Sequence, residues 1–198
     1  MVKDTKKNLF TAANILSMLR ILLIPVFITL MLQHKVPQAF FVFLFAVTTD
    51  LLDGIAARVW QQKTKLGTFL DPAADKLLMA SSFIILSLPA VSTPNTIPVW
   101  LVAVVIFRDL YIVSGALIYI RLTKTTEAKP SMIGKVCTVV EMGLLTLVLL
   151  HNSLGKAPSY LAQVYLLALV LVLLSAAHYT FIGIRGYRQF KGIKQGRT

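Results

Sequence analysis

The chain carries eight acidic residues among 198. Six of them, Asp50, Asp53, Asp71, Asp75, Asp109 and Glu141, fall in or at the ends of hydrophobic stretches. A carboxylate at membrane depth costs roughly 3 kcal/mol on insertion scales, and such residues mark a site by default. Four form one constellation: Asp50-Leu-Leu-Asp53-Gly54-Ile-Ala-Ala57-Arg58, eight residues, then Gly67-Thr-Phe-Leu-Asp71-Pro-Ala-Ala-Asp75. On a helix Asp50, Asp53, Gly54 and Ala57 recur at i, i+3, i+4 and i+7 and share one face. Asp71 and Asp75, at i and i+4, share another. A connection of about ten residues lets two such helices run antiparallel with these faces opposed. Left alone, the carboxylates would repel and some would protonate. Divalent cations remove the conflict, and an all-oxygen donor set suits Mg²⁺ or Mn²⁺ rather than zinc.

The neighbours agree with a ligand site. Gly54, Ala57 and Gly67 leave room for a ligand or a second backbone to approach. Arg58 is suited to pairing with a phosphate. Pro72 is expected in the first turn of its helix, where a missing N–H costs nothing. Interhelical salt bridges with packing glycines would use the same residue types, but four acids here face few nearby bases.

The elements that must hold these residues are apolar helices. The chain is 57% hydrophobic with a mean hydropathy of +0.76, above the 45–50% or so of soluble domains. Charged residues are 14%, yet the net charge is +12. A basic excess suits nucleic acid or anionic lipid, and the hydropathy selects lipid. The single cysteine, Cys137, excludes an intrachain disulfide and a Cys/His metal cluster. Six stretches approach the roughly 20 residues of a spanning helix: 15–33, 37–60, 71–89, 97–121, 132–151 and 160–184. The alternate loops on one side hold only Lys35 and Lys156, while the other side and both ends carry most of the Lys and Arg. The positive-inside rule then makes both termini cytoplasmic. Asn8, Thr11, Asn14, Ser17 and Arg20 interrupt an apolar pattern and suggest a short interfacial amphipathic helix before the first span. The basic tail Arg185 to Arg197 is expected against anionic headgroups. The fold class is thus an all-α integral membrane protein, six transmembrane helices with an N-terminal interfacial amphipathic helix, in a single domain over 1–198.

The pattern D-x2-D-G-x2-A-R-x8-G-x3-D-x3-D, complete here, resembles the signature of the CDP-alcohol phosphatidyltransferases. Asn14-Ile-Leu-Ser-Met-Leu-Arg20 followed by Pro25 is similar to the family's N-terminal segment. The resemblance implies that Asp50, Asp53 and Asp71 ligate metal, with Asp75 near a second ion. Two divalent cations would hold the diphosphate of a CDP-lipid. Gly54, Ala57, Arg58 and Gly67 would line the CDP-lipid pocket, and Asp75 would be the general base. The acceptor alkoxide would attack the phosphorus attached to diacylglycerol, and CMP would leave. Phosphoryl-type transfer needs charge neutralisation, in-line positioning and a base more than covalent help, so no enzyme-bound intermediate is expected. A homodimer and a cavity open to the cytoplasmic leaflet are also implied.

Arg108 and Lys135 are cations at or within apolar stretches, suited to a phosphate on the acceptor. Alternatively, Arg108 neutralises Asp109 or Glu141. An I-G-K-x-x-T segment, Ile133 to Thr138, resembles the one that serves glycerol 3-phosphate in phosphatidylglycerophosphate synthases. The Arg108-Asp109 pair followed by K-P-S-x-x-x-K is closer to the cardiolipin synthases of the same superfamily, whose acceptor is phosphatidylglycerol. Glycerol 3-phosphate is the expected acceptor and phosphatidylglycerol the alternative. A membrane cation transporter is the rival of another class, but it would spread its acids over the membrane depth. No transit-like leader is evident, which favours a bacterial inner membrane with the active site on its cytoplasmic side.

Overall fold

The computed structural model describes residues 12–60, 65–123 and 131–195, with side chains over 17–49, 73–122 and 131–186. The described residues form six helices and no strand: α1 (Ala12–Leu32), α2 (Val36–Trp60), α3 (Lys65–Leu86), α4 (Val99–Thr123), α5 (Met132–Ser153) and α6 (Leu161–Gln195). Among these, Val99–Leu122, Met132–Ser153 and Leu161–Gly186 are long and apolar enough to cross a membrane. Ser17–Leu32 and Val36–Thr49 are shorter apolar helical stretches.

The helix limits follow local chemistry. Lys35 N–H bonds to Leu30 O at 2.9 Å and His34 N–H to Met31 O at 2.9 Å, closing α1 in a Schellman motif. His34 occupies its left-handed position with φ 57°. The end of α5 repeats the arrangement with Gly155 at φ 63° and the bonds Lys156 N–H to His151 O and Gly155 N–H to Asn152 O. Ser131 caps α5, its Oγ accepting the Gly134 N–H at 3.0 Å.

Two expectations change. Helix α3 starts at Lys65, earlier than the apolar run suggested, so Pro72 lies in the helix interior and not in its first turn. Hydrophobicity marks where apolar side chains begin, whereas the backbone coils earlier through Lys65-Leu-Gly-Thr, which apolarity does not register. Helix α6 runs on to Gln195, and its 35 residues span about 52 Å against a hydrocarbon core of about 30 Å. Of the expected amphipathic segment from Asn8 to Arg20, Asn8 to Thr11 lies outside the described residues. Its Ser17 and Arg20 positions are buried within α1.

The chain divides into two compact units, one from Met1–Thr96 and Leu145–Ala157, the other from Ile97–Leu144 and Pro158–Thr198. In the first, α1 packs against both α2 and α3. Phe27 and Phe43 meet with ring centroids 5.9 Å apart, among buried Met31, Phe83, Leu86 and Leu149. A buried polar knot closes the loop after α3. Asn152 Nδ2 donates to Ser92 Oγ at 2.9 Å and Asn95 O at 2.8 Å, while Asn95 N–H and Nδ2 donate to Asn152 Oδ1 at 2.8 Å. Every bond of this knot is within normal length, as burial of amide groups requires.

In the second unit α4 packs against α6. The pairs Arg108–Ser175 and Tyr111–Thr180, with Tyr119 against Gly186, advance together along both helices, so these run parallel. Many large apolar side chains of α4 and α6 are exposed, among them Phe107, Leu110, Leu117, Leu173 and Phe181. A helix apolar around its whole girth is matched to a lipid surrounding.

Candidate active site

Helix α2 carries Asp50, Asp53, Gly54, Ala57 and Arg58, and helix α3 carries Gly67, Asp71 and Asp75. The backbone is helical through both sets, so the i, i+3, i+4, i+7 and i, i+4 relations hold and each set shares a face. The side chains of Asp50, Asp53, Gly54, Ala57, Arg58, Gly67 and Asp71 lie outside those described. The expected convergence of four carboxylates therefore rests on helical register and on the donor chemistry. Among the described residues no group of three His, Cys, Asp or Glu gathers for a metal, since only Asp75 of the four acids is described. The set is oxygen-only and acidic, which fits Mg²⁺ or Mn²⁺.

Asp75 has a partner that the sequence reading did not assign. Arg20, on α1, donates from Nη1 to Asp75 Oδ1 in an ion pair. The Arg20 side chain is 1% exposed and that of Asp75 31%. The hairpin register adds to this. His34 and its Schellman turn reverse the chain, and Phe27 faces Phe43. Seven residues further from the turn on each helix stand Arg20 and Asp50, at the same level, because both helices rise equally per residue. A lone arginine inside an apolar run was the available signal: such a cation needs a buried counter-charge.

The second unit gathers a different set. Arg108 is 4% exposed. Its Nη1 donates to Asp109 Oδ1 at 2.7 Å and lies 3.9 Å from Glu141 Oε1, and its Nη2 donates to Ser175 Oγ at 2.5 Å. Glu141 is 1% exposed and accepts from Cys137 Sγ at 3.2 Å. Arg108 therefore engages both acids named as its alternatives. Its Nε is buried without a hydrogen-bond partner. Lys135 is exposed in the first turn of α5. That turn is held by Tyr179, whose Oη accepts the Ser131 N–H at 3.2 Å. A Cβ at Gly134 would stand 2.5 Å from that same Oη. The glycine of the I-G-K segment is thus explained by packing against α6.

The family sequence model described as CDP-alcohol phosphatidyltransferase matches residues 10–177. The chain belongs to the CDP-alcohol phosphatidyltransferase family. Cardiolipin synthase (CMP-forming) of Rattus norvegicus is 36% identical over 175 residues, covering 80% of this chain and 56% of the relative. Probable cardiolipin synthase (CMP-forming) of Drosophila melanogaster is 32% identical over 162 residues, covering 74% of this chain and 49% of the relative. CDP-diacylglycerol–glycerol-3-phosphate 3-phosphatidyltransferase of Escherichia coli (strain K12) is 32% identical over 176 residues, covering 85% of this chain and 95% of the relative. The chain spans about half the length of the two animal relatives. As a CDP-alcohol phosphatidyltransferase family member, it carries its signature in α2 and α3 of one compact unit, while Arg108 and Lys135 belong to the other.

Proposed function

We propose that this chain transfers the phosphatidyl group of CDP-diacylglycerol to an alcohol and releases CMP, with glycerol 3-phosphate as acceptor. The observation that carries the reading is the unbroken carboxylate motif on α2 and α3 within a family match over residues 10–177. Asp50, Asp53, Asp71 and Asp75 would hold two ions of Mg²⁺ or Mn²⁺, which supply charge neutralisation on the diphosphate. Gly54, Ala57, Arg58 and Gly67 would line the CDP-lipid pocket. Asp75 takes the proton from the acceptor hydroxyl. The acceptor oxygen forms its bond to the phosphorus bearing diacylglycerol as the bond from that phosphorus to the CMP oxygen breaks. Arg108 and Lys135 bind the acceptor phosphate. Support for this is the buried Arg108 Nε without a partner and the position of Lys135 in the first turn of α5, where helix termini favour anions.

Glycerol 3-phosphate is favoured by the I-G-K-x-x-T segment and by the 95% coverage of the E. coli relative. The second reading, phosphatidylglycerol as acceptor giving cardiolipin, is favoured by the Arg108-Asp109 pair and by the 36% identity to the rat relative. Family membership weighs against the cation-transporter alternative. We further propose one catalytic domain over 1–198 with six transmembrane helices, an N-terminal interfacial helix, both termini and the site on the cytoplasmic side of a bacterial inner membrane, and a homodimeric assembly. The match runs across both compact units.

The test is CMP release in detergent from CDP-diacylglycerol, with glycerol 3-phosphate or phosphatidylglycerol offered separately and products read by mass spectrometry. Asp75→Asn runs beside it and is expected to lose roughly 100- to 10,000-fold in turnover, the usual weight of a positioned base. Product from glycerol 3-phosphate alone supports the first reading, and cardiolipin alone transfers it to the second. Release with neither, from folded protein, would sink both.

A further inference from the structure

We propose that Arg20 is a positioning residue of the transfer site, holding the Asp75 carboxylate in the orientation from which it takes the acceptor proton. The inference rests on the reading of Asp75 as the base and adds to it a part contributed by α1.

The pair is asymmetric. The arginine end is sealed in the protein at 1% side-chain exposure, while the aspartate end is open at 31%. A guanidinium so enclosed does not touch substrate. It offers donors and no acceptor, so it does not take the transferred proton. What it can do is fix an oxygen. Arg20 Nη1 donates to Asp75 Oδ1 and so restrains rotation about the terminal bond of that side chain, a torsion that is broad in aspartates generally. Helix α1 is itself braced on both neighbours, since it packs against α2 and α3. The hairpin register puts Arg20 at the level of Asp50, the first acid of the α2 set. One buried cation thus stands level with the start of the motif and ties down its last carboxylate. Ser17, about one turn earlier on α1, is also fully buried, so this face of the helix is committed to the interior over that turn.

A guanidinium is suited to the task because its planar fork orients a carboxylate, which a rotatable ammonium does less well. The tests use the full chain in detergent, with Arg20→Lys, Arg20→Met, Asp75→Asn and the double variant Arg20→Met/Asp75→Asn. Arg20→Lys is expected to lower kcat roughly tenfold with KM for CDP-diacylglycerol unchanged, since charge remains and geometry loosens. Arg20→Met is expected to lower kcat about 100-fold, again with little change in KM. In melting experiments Arg20→Met should lower Tm more in the wild-type background than in the Asp75→Asn background, because paired residues couple.

An Arg20→Lys variant with wild-type kcat overturns the proposal, even if Arg20→Met does not fold. So does a folded Arg20→Met variant no slower than Arg20→Lys, and so do additive Tm changes. A wild-type chain that releases no CMP with either acceptor defeats instead the reading of the reaction, and the proposal falls with it. The melting cycle then still reports whether the ion pair couples the two residues. The two failures are therefore distinguishable.

Discussion

Arg20 and Asp75 lie 55 residues apart in sequence and meet as an ion pair between α1 and α3. The cation is enclosed and the acid is open. The pair joins two segments that read separately in the sequence: the Asn14 to Pro25 stretch and the final acid of the carboxylate motif. It makes α1 part of the same compact unit as both motif-bearing helices.

Removal of divalent metal should abolish CMP release, and Mg²⁺ or Mn²⁺ should restore it. Four carboxylates without cations repel, so chelation is also expected to alter the Tm of the wild type more than that of Asp50→Asn. Turnover and melting with and without chelator check both. Full activity after exhaustive chelation would contradict the oxygen-ligand site.

Arg108→Met removes the cation that faces both the half-buried Asp109 and the buried Glu141. Breaking such a pair from one side costs about 3–5 kcal/mol. Tm should drop by several degrees, and adding Glu141→Gln should recover part of the drop. A variant with wild-type Tm would show that the network contributes little.

Asn152→Leu removes the hub of the knot with Ser92 and Asn95 and takes the acceptor from the Asn95 N–H, while Ser92 Oγ keeps its bond to Asn95 O and Asn95 Nδ2 its bond to Lys156 O. An expected loss of about 1–3 kcal/mol follows from the desolvation of the orphaned N–H. The knot contains none of the motif residues, so KM for the donor should not change. Melting and kinetics on the same preparation test the two halves of the statement.

Gly134→Ala puts a methyl 2.5 Å from Tyr179 Oη and 2.8 Å from Cε2. The tyrosine must move, which should also weaken its hold on the Ser131 N–H. Overpacking of this kind costs about 1–3 kcal/mol. The accompanying shift of the α5 start should be visible as a raised KM for the acceptor if Lys135 binds it. Unaltered Tm and KM would mean that α5 and α6 accommodate the methyl freely.

Much of the architecture was legible in order and type. Apolar runs of 19 or more residues separated by Pro, Gly and charge can only be helices when lipid is the solvent, and the six helices occur in the expected order. Boundaries were less legible. Helix α3 begins at Lys65 among polar residues and α6 continues to Gln195 past its apolar stretch, because backbone coiling does not stop where hydrophobicity does. The i, i+3, i+4, i+7 spacing of Asp50, Asp53, Gly54 and Ala57 needs only that α2 be helical, which makes it local information.

Partnership was not local. The sequence alone determined that Arg108, as a cation in an apolar run, had reason to pair with a buried counter-charge, whereas Arg20 read as one polar position of an interfacial helix. It also offered Asp109 and Glu141 beside Arg108. Only the tertiary structure decided that Arg20 answers Asp75, that Ser175 completes the Arg108 cluster, and that Tyr179 makes Gly134 necessary. The reason is geometric: helical period settles which side chains share a face, but which faces meet depends on the packing of whole helices far apart in the chain.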